Sequence, residues 1–151
     1  GKGLGALAAM QRGIDFDVQA LVARLSAGRE LKLEMDEAYH VADVSQIYAL
    51  IQRGELGKEV ATDAFVVKPD GVPAGHLIIV RFLINCCSAD AQPLPVMVVT
   101  ADADRYERDQ WVRVYGKLEK REFKGEMVPT IVADHVRVLE GDEIPKRPYL
   151  Y

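Results

Sequence analysis

Two adjacent cysteines, Cys86 and Cys87, are followed closely by Asp90. A thiolate beside a carboxylate suits zinc or another borderline metal, and Asn85 could add an oxygen donor. A closed zinc site takes four ligands, so this corner would borrow the rest from a partner or from a preceding segment. The plainer reading is one core cysteine, one corner cysteine and an aspartate that caps a turn. Neighbouring cysteines make no ordinary disulfide, because a normal bridge holds its Cα atoms roughly 5.5 Å apart. Thiol catalysis or redox sensing would need a base beside Cys87. His40, His76 and His135 are scattered. Spacing forces none of them there, and they read as structural residues.

A second set of candidates lies downstream. Trp111, Arg113, Tyr115 and Lys117 alternate, so they share one face of a strand. Aromatics interleaved with cations are what single-stranded nucleic acid uses, through stacking and phosphate contact. Composition opposes that use. Lys and Arg number 19 against 23 Asp and Glu, the net charge is −4, and aromatics make up 7%. No basic footprint exists, so a face covered by the N-terminal helices or by a partner protein is the better expectation. Asp102, Asp104, Glu107 and Asp109 lack the glycine and ligand spacing of a calcium loop. Asp15, Asp17, Asp36 and Glu37 read as helix caps and surface charge. No phosphate-binding glycine loop, metalloprotease motif or catalytic triad spacing occurs.

The elements that position these residues follow from periodicity. Val18, Leu21, Val22 and Leu25 form one apolar stripe, which predicts a helix over Ile14–Gly28. Asp43 with Gln46 makes a capping box for a second helix, with Val44, Ile47, Tyr48 and Ile51 buried and Gly54 as its stop. From Glu59 the period becomes two. Strands are expected at Glu59–Lys68, Gly75–Cys86, Pro95–Thr100, Gln110–Arg121 and Met127–Leu139, with a turn at Phe123–Glu126. On the second strand, the wholly apolar set Ile78, Val80, Phe82, Ile84 and Cys86 is expected to face the core, with Arg81, Asn85 and Cys87 pointing away. On the fifth, Val132, Val136 and Val138 are expected to share one face. Five strands with a short polar or helical insert after the third have the order of a Greek-key barrel. The fold class expected is therefore mainly β with N-terminal helices, a five-stranded OB-type barrel plus about two helices. The expected divisions are a leader over 1–13, a helical segment over 14–56, the barrel over 57–140 and an extended tail over 141–151.

Several pieces together resemble a known family. They are Arg81-Phe82-x-Ile84-x-Cys86-Cys87-x-Ala89-Asp90-Ala91-Gln92-Pro93, Phe65-Val66, Trp111-Val112-Arg113-Val114-x-Gly116, and the ending Pro145-x-x-Pro148-Tyr149-Leu150-Tyr151. They are similar to the soluble C-terminal domain of the small membrane subunit of a bacterial two-component permease, a family of poorly defined function. Leu4-Gly5-Ala6 and Arg12-Gly13-Ile14 resemble its segment after the last membrane helix. Ala64 departs from the glycine expected before Phe65, which questions a bulge there.

The resemblance implies a larger permease subunit as partner and membrane helices that precede this chain. It also implies a cell-membrane location, with the extracytoplasmic side preferred. No run here reaches the ~20 apolar residues of a membrane helix. The function expected is non-enzymatic protein–protein contact in a transport complex, with metal or ligand sensing at Cys86, Cys87 and Asp90. Arg81, Trp111, Arg113, Tyr115, Tyr149 and Tyr151 are the candidate interface. No cofactor is required, and zinc is the metal the corner would suit. The alternatives are a single-stranded nucleic-acid-binding OB protein and a thiol-dependent redox protein.

Overall fold

The structure is a computed structural model and describes residues 33–84, 91–146 and 149–150. In chain order it holds β1 (Glu34–Asp36), β2 (Tyr39–Val41), α1 (Val44–Gln52), β3 (Glu59–Val67), β4 (His76–Leu83) and β5 (Gln92–Val99). After these come β6 (Trp111–Phe123), β7 (Glu126–Val138) and β8 (Tyr149–Leu150). The leader, the helix expected over Ile14–Gly28, the Cys86–Cys87–Asp90 corner and Tyr151 lie outside the described residues.

The fold is mainly β. The expected count of five strands needs amendment, because the sheet has eight, in the order β1-β2-β3-β6-β7-β5-β4-β8. A further β3–β4 pairing closes β3, β6, β7, β5 and β4 into a ring. Within the ring only the β5–β7 pairing is parallel. The three short strands extend the ring. β2 runs parallel to β3, and β8 runs parallel to β4 beside Phe82 and Leu83. Within the segment expected over 14–56, the alternation of Leu31, Leu33 and Met35 reads as a short strand or extended connector, and Glu34–Asp36 and Tyr39–Val41 are strands joined by a turn. Their side chains find partners on the ring, which a local helix would not offer.

One α-helix lies among the described residues, where the second expected helix falls. α1 forms as its sequence dictates. The Asp43 carboxylate accepts the Gln46 amide at 2.9 Å, and the Gln46 side chain accepts the Asp43 amide at 2.9 Å. Its buried face, Val44, Ile47, Tyr48 and Leu50, joins the main core. That core takes Val60, Ala64 and Val66 from β3, Leu77, Ile79 and Leu83 from β4, and Leu94, Val96 and Val98 from β5. Val112, Val114 and Leu118 of β6 and Ile131 of β7 complete it. Ala64 pairs in regular register with Val112, so β3 carries no bulge there.

β4 departs from expectation. Leu77, Ile79 and Leu83 line the main core, while Ile78 and Val80 form a second cluster with Val67, Met97 and Val128 on the opposite face. The strand is apolar on both sides because both are buried, so parity alone could not choose the interior. Pro93 and Pro95 also sit inside β5. From 92 to 96 that strand has only β4 beside it, so a missing N–H costs no ladder bond. Tyr48 Oη donates to the Pro95 carbonyl at 2.7 Å and satisfies that open edge.

β6 and β7 form the longest pairing, and its register shifts between Tyr115 and Gly116. Tyr115 faces His135 and Gly116 faces Ala133, so Asp134 is the extra residue of a β-bulge. The bulge reverses parity along β7. Ile131 and Ala133 face the core before it, Val136 and Val138 after it, and Val132 leaves their face. Gly116 makes this approach sterically feasible. A Cβ there would lie 2.1 Å from the Val132 carbonyl oxygen and 2.8 Å from the Ala133 Cα. Those obstacles are backbone and cannot rotate away. Gly116→Ala is expected to destabilise the fold by about 1–3 kcal/mol or more. A chemical denaturation midpoint equal to that of the unaltered protein would refute the close approach.

Candidate functional site

The residues with chemical character collect on the outward faces of β3, β6 and β7. Register puts Phe65 beside Trp111, Asp63 beside Arg113 and Ala61 beside Tyr115. On the other side of β6, Arg113 faces Arg137 and Tyr115 faces His135.

Arg113 is the centre of the polar half. Its Nε and Nη2 donate to the two oxygens of Asp63 at 2.6 and 2.9 Å, a bidentate pair. Its Nη1 donates to Asp36 Oδ2 at 2.8 Å, and Tyr115 Oη donates to the same oxygen at 2.7 Å. Asp36, read from the sequence as a cap or surface charge, is thus a shared acceptor carried in by β1. The Tyr115 hydroxyl, with Arg113 second, holds the Asp36 carboxyl below its ordinary range. Hydrogen bonds to Asp63, with Asp36 also contributing, raise the proton affinity of Arg113.

An aromatic group continues the face. Tyr115 stacks on His135 with ring centres 4.1 Å apart, and Tyr39 stands edge-on to Tyr115 at 5.3 Å. Tyr39 Oη donates to Asp134, the bulge residue, at 2.6 Å. That bond pushes the Tyr39 phenol up to about 12. Arg137 pairs with Glu143, whose carboxyl it holds low.

The other half is apolar. Phe65 stacks on Phe82 at 5.8 Å and meets Trp111 edge-on at 5.4 Å. Arg81 is a buried residue, 7% exposed, and its guanidinium lies 5.2 Å from the Trp111 ring centre. Burial lowers its proton affinity, and Asp43 and Asp63 oppose that effect. The structure thus brings together four of the six expected interface residues, Arg81 on β4 and Trp111, Arg113 and Tyr115 on β6, from the two strands that flank β3. Of the other two, Tyr149 lies in β8. Lys117 is exposed at the end of the β6 row. Sequence reading missed Asp36, Asp63, Tyr39 and Asp134 as partners; a lone acid opposite an arginine in a strand pair was the available signal.

His40 and His76 stand apart from this site. The His40 ring is 3.2 Å from the Glu59 carbonyl, and that of His76 is 2.9 Å from the Ala74 carbonyl. Among the described residues, no three His, Cys, Asp or Glu side chains gather closely enough to hold a metal ion.

The profile of the DUF1980 C-terminal domain matches residues 13–151. The chain belongs to the DUF1980 C-terminal domain family. A comparison with curated proteins finds no match for it. Among solved structures, this DUF1980 domain is similar to a chain of yeast RPA bound to ssDNA. That match has 12% identity and a TM-score of 0.44, and covers 75% of this chain and 84% of that one. It is also similar to a small single-stranded DNA-binding protein from Streptomyces coelicolor, at 11% identity and TM-score 0.36, over 54% of this chain and 92% of that one. A third likeness is to the S. pombe Stn1–Ten1 complex, at 17% identity and TM-score 0.34, over 55% and 59%.

Two measurements test the geometry of the DUF1980 site. Arg113→Lys keeps the charge but cannot reproduce the bidentate bond and the third contact. It should cost about 1 kcal/mol, the worth of a well-formed accessible ion pair, read from the urea midpoint; an unchanged midpoint would mean the clamp is not formed. The pH dependence has two arms. Asp36 has a lowered pKa, so its contribution is present above the unfolded value of 3.8 and is lost as pH falls through the lower folded value. Tyr39 is raised, so its contribution is present below 10.0 and is lost as pH rises through about 12. Ultraviolet phenolate titration should show a late step whose amplitude falls by one tyrosine in Tyr39→Phe. A late step of unchanged amplitude after the substitution would assign it elsewhere.

Proposed function

We propose that this chain is a non-enzymatic OB-type domain of a membrane permease complex, working by contact with the larger permease subunit. The ring order β3–β4–β5–β7–β6, with β5 and β7 parallel, supports the OB reading. In such barrels the second and third strands and the flanking loops hold oligonucleotides or oligosaccharides. Here those strands are β4 and β5, and their outward row is Ile78, Val80, Phe82, Pro93, Pro95 and Met97. At its end the row takes in His76, which pairs with Val99; its other side chains are apolar and could not grip a phosphate. Val72 of the β3–β4 loop and Phe123 of the β6–β7 hairpin pack against the same cluster. Lys124 Nζ donates to the Asp70 carbonyl at 3.2 Å and ties the loop to the hairpin.

One observation carries the contact reading: the half-buried group of Phe65, Phe82 and Trp111 beside the buried Arg81. Trp and Arg anchors in a desolvated setting are the composition of interface hot spots. The sequence resemblance supplies the permease subunit as the partner, with a cell-membrane location and the extracytoplasmic side preferred. Among the described residues no helix is long and apolar enough to cross a membrane. Cys86, Cys87 and Asp90 would add metal or ligand sensing, with further zinc ligands coming from the partner.

The solved structures with bound or named single-stranded DNA raise the rival reading. Against it, Arg113 already serves two carboxylates and Arg137 serves a third. Co-purification of the full-length subunit with the permease tests the proposal. Trp111→Ala should weaken association about tenfold or more, roughly 1.4 kcal/mol. Undiminished recovery, together with salt-dependent binding of a labelled oligonucleotide by the unaltered domain, would replace this reading with the nucleic-acid one.

A further inference from the structure

Asp36 is held as a bound ligand would be. Arg113 Nη1 and Tyr115 Oη converge on one of its oxygens at 2.8 and 2.7 Å. Both donors are positioned without it. Asp63, the direct cross-strand neighbour of Arg113, fixes the guanidinium plane through two bonds. His135 stacks on the Tyr115 ring and fixes the phenol. A pair of donors preset in this way recognises a carboxylate.

The element that delivers Asp36 is weakly attached. β1 pairs with β2, and β2 reaches β3 at two register positions, His40 with Val60 and Val41 with Ala61. No residue of β1 or β2 is buried. The turn between them puts Glu37, which is not glycine, at φ 55°, a conformation that costs roughly 1–2 kcal/mol. Few buried contacts and a strained turn place a segment at the low end of local stability. Its remaining holds are Asp36, the bond of Tyr39 to Asp134, the edge-on contact of Tyr39 with Tyr115, and Leu33 and Ala42 at its two ends, which pack on the main core.

We propose that the Arg113–Tyr115 pair is a recognition site for a carboxylate on an extended acidic segment of the partner, and that the β1–β2 hairpin occupies it in the free protein. The partner strand would take the hairpin's place along β3, adding backbone pairing to the charge contact. This rests on the reading of the domain as a contact module and names the chemistry of the contact.

The test uses the full chain, the unaltered protein and Asp36→Ala. The probe is a fluorescent peptide with the sequence of residues 33–42, alone or carrying Asp36→Asn. Asp36→Ala should bind the acidic peptide at least tenfold more tightly than the unaltered protein does. The Asp36→Asn peptide should lose that gain, as should the acidic peptide when Tyr115→Phe is added. Amide exchange should be faster over 34–41 than in β3 and β6, and protection of β3 and β6 in each variant reports an intact barrel. Equal affinity for the two peptides, or exchange over 34–41 as slow as in β6, would overturn the proposal. The permease co-purification reads the complex separately, so its failure would leave peptide discrimination as the measure of this site.

Discussion

β6 and β7 approach each other at Gly116 until no side-chain atom fits between them. The outward surface depends on that contact. With no Cβ at Gly116, β7 can absorb Asp134 as an extra residue, and parity reverses beyond it. Val136 and Val138 then pack on the core, and His135 and Arg137 come to the side that Arg113 and Tyr115 occupy. An unbroken alternation from Ile131 would have sent His135 and Arg137 inward and the two valines out. A strand that buried an arginine and a histidine against Val112 and Val114 would face a desolvation cost of several kcal/mol per ion. One glycine therefore sorts polar from apolar along half of a long hairpin.

The charges on that surface set geometry more than they set global stability. Arg113, Asp36 and Asp63 have side chains between 22% and 29% exposed. Pairs this accessible add little beyond the cost of ordering them. The apolar core runs through all the ring strands and α1 and carries the larger share. What the ion pairs decide is where β1 and β2 lie. Without Asp36 on Arg113 and Tyr39 on Asp134, the hairpin would keep a short ladder on β3, the ring contact of Tyr39 with Tyr115 and the core packing of Leu33 and Ala42 at its ends. The polar network and the bulge thus form one device: Asp134, displaced by the bulge, is the residue that receives Tyr39.

Local signals in the sequence were strong where neighbours in the chain determine the outcome. The Asp43–Gln46 capping box and Gly54 delimit α1, and period-two runs locate β3, β4, β6 and β7 within a few residues. Trp111, Arg113 and Tyr115 are readable as one face because β6 alternates cleanly up to the bulge. Contacts between distant segments were not legible. Asp36 meets Arg113 from 77 residues away, and nothing in the run Glu34–Glu37 marks it as more than surface charge. Parity failed on β4, where both faces are apolar, and on β7, where the extra residue is visible only once the partner strand is in place. The prolines of β5 suggested a later start than Gln92, because an open edge that tolerates them is a property of the sheet.

These outward faces leave different surfaces for a partner. The row on β4 and β5 is apolar, and its own loop and hairpin pack on it. The polar row on β3, β6 and β7 is occupied by carboxylates from within the chain. Between them runs the seam of Phe65, Phe82 and Trp111, with Arg81 beneath the indole. Arg81 occupies a core-parity position on β4 between Ile79 and Leu83, yet its guanidinium reaches the indole and the Asp63 carbonyl. A guanidinium is too basic to be neutralised by burial, so this charge stays in a poorly solvated place, steadied by the ring and by nearby Asp43 and Asp63. A flat apolar ring backed by a fixed cation is suited to a partner that offers both an apolar side chain and an acidic group. The seam lies beside the Asp63–Arg113 pair, so one extended acidic strand could reach both.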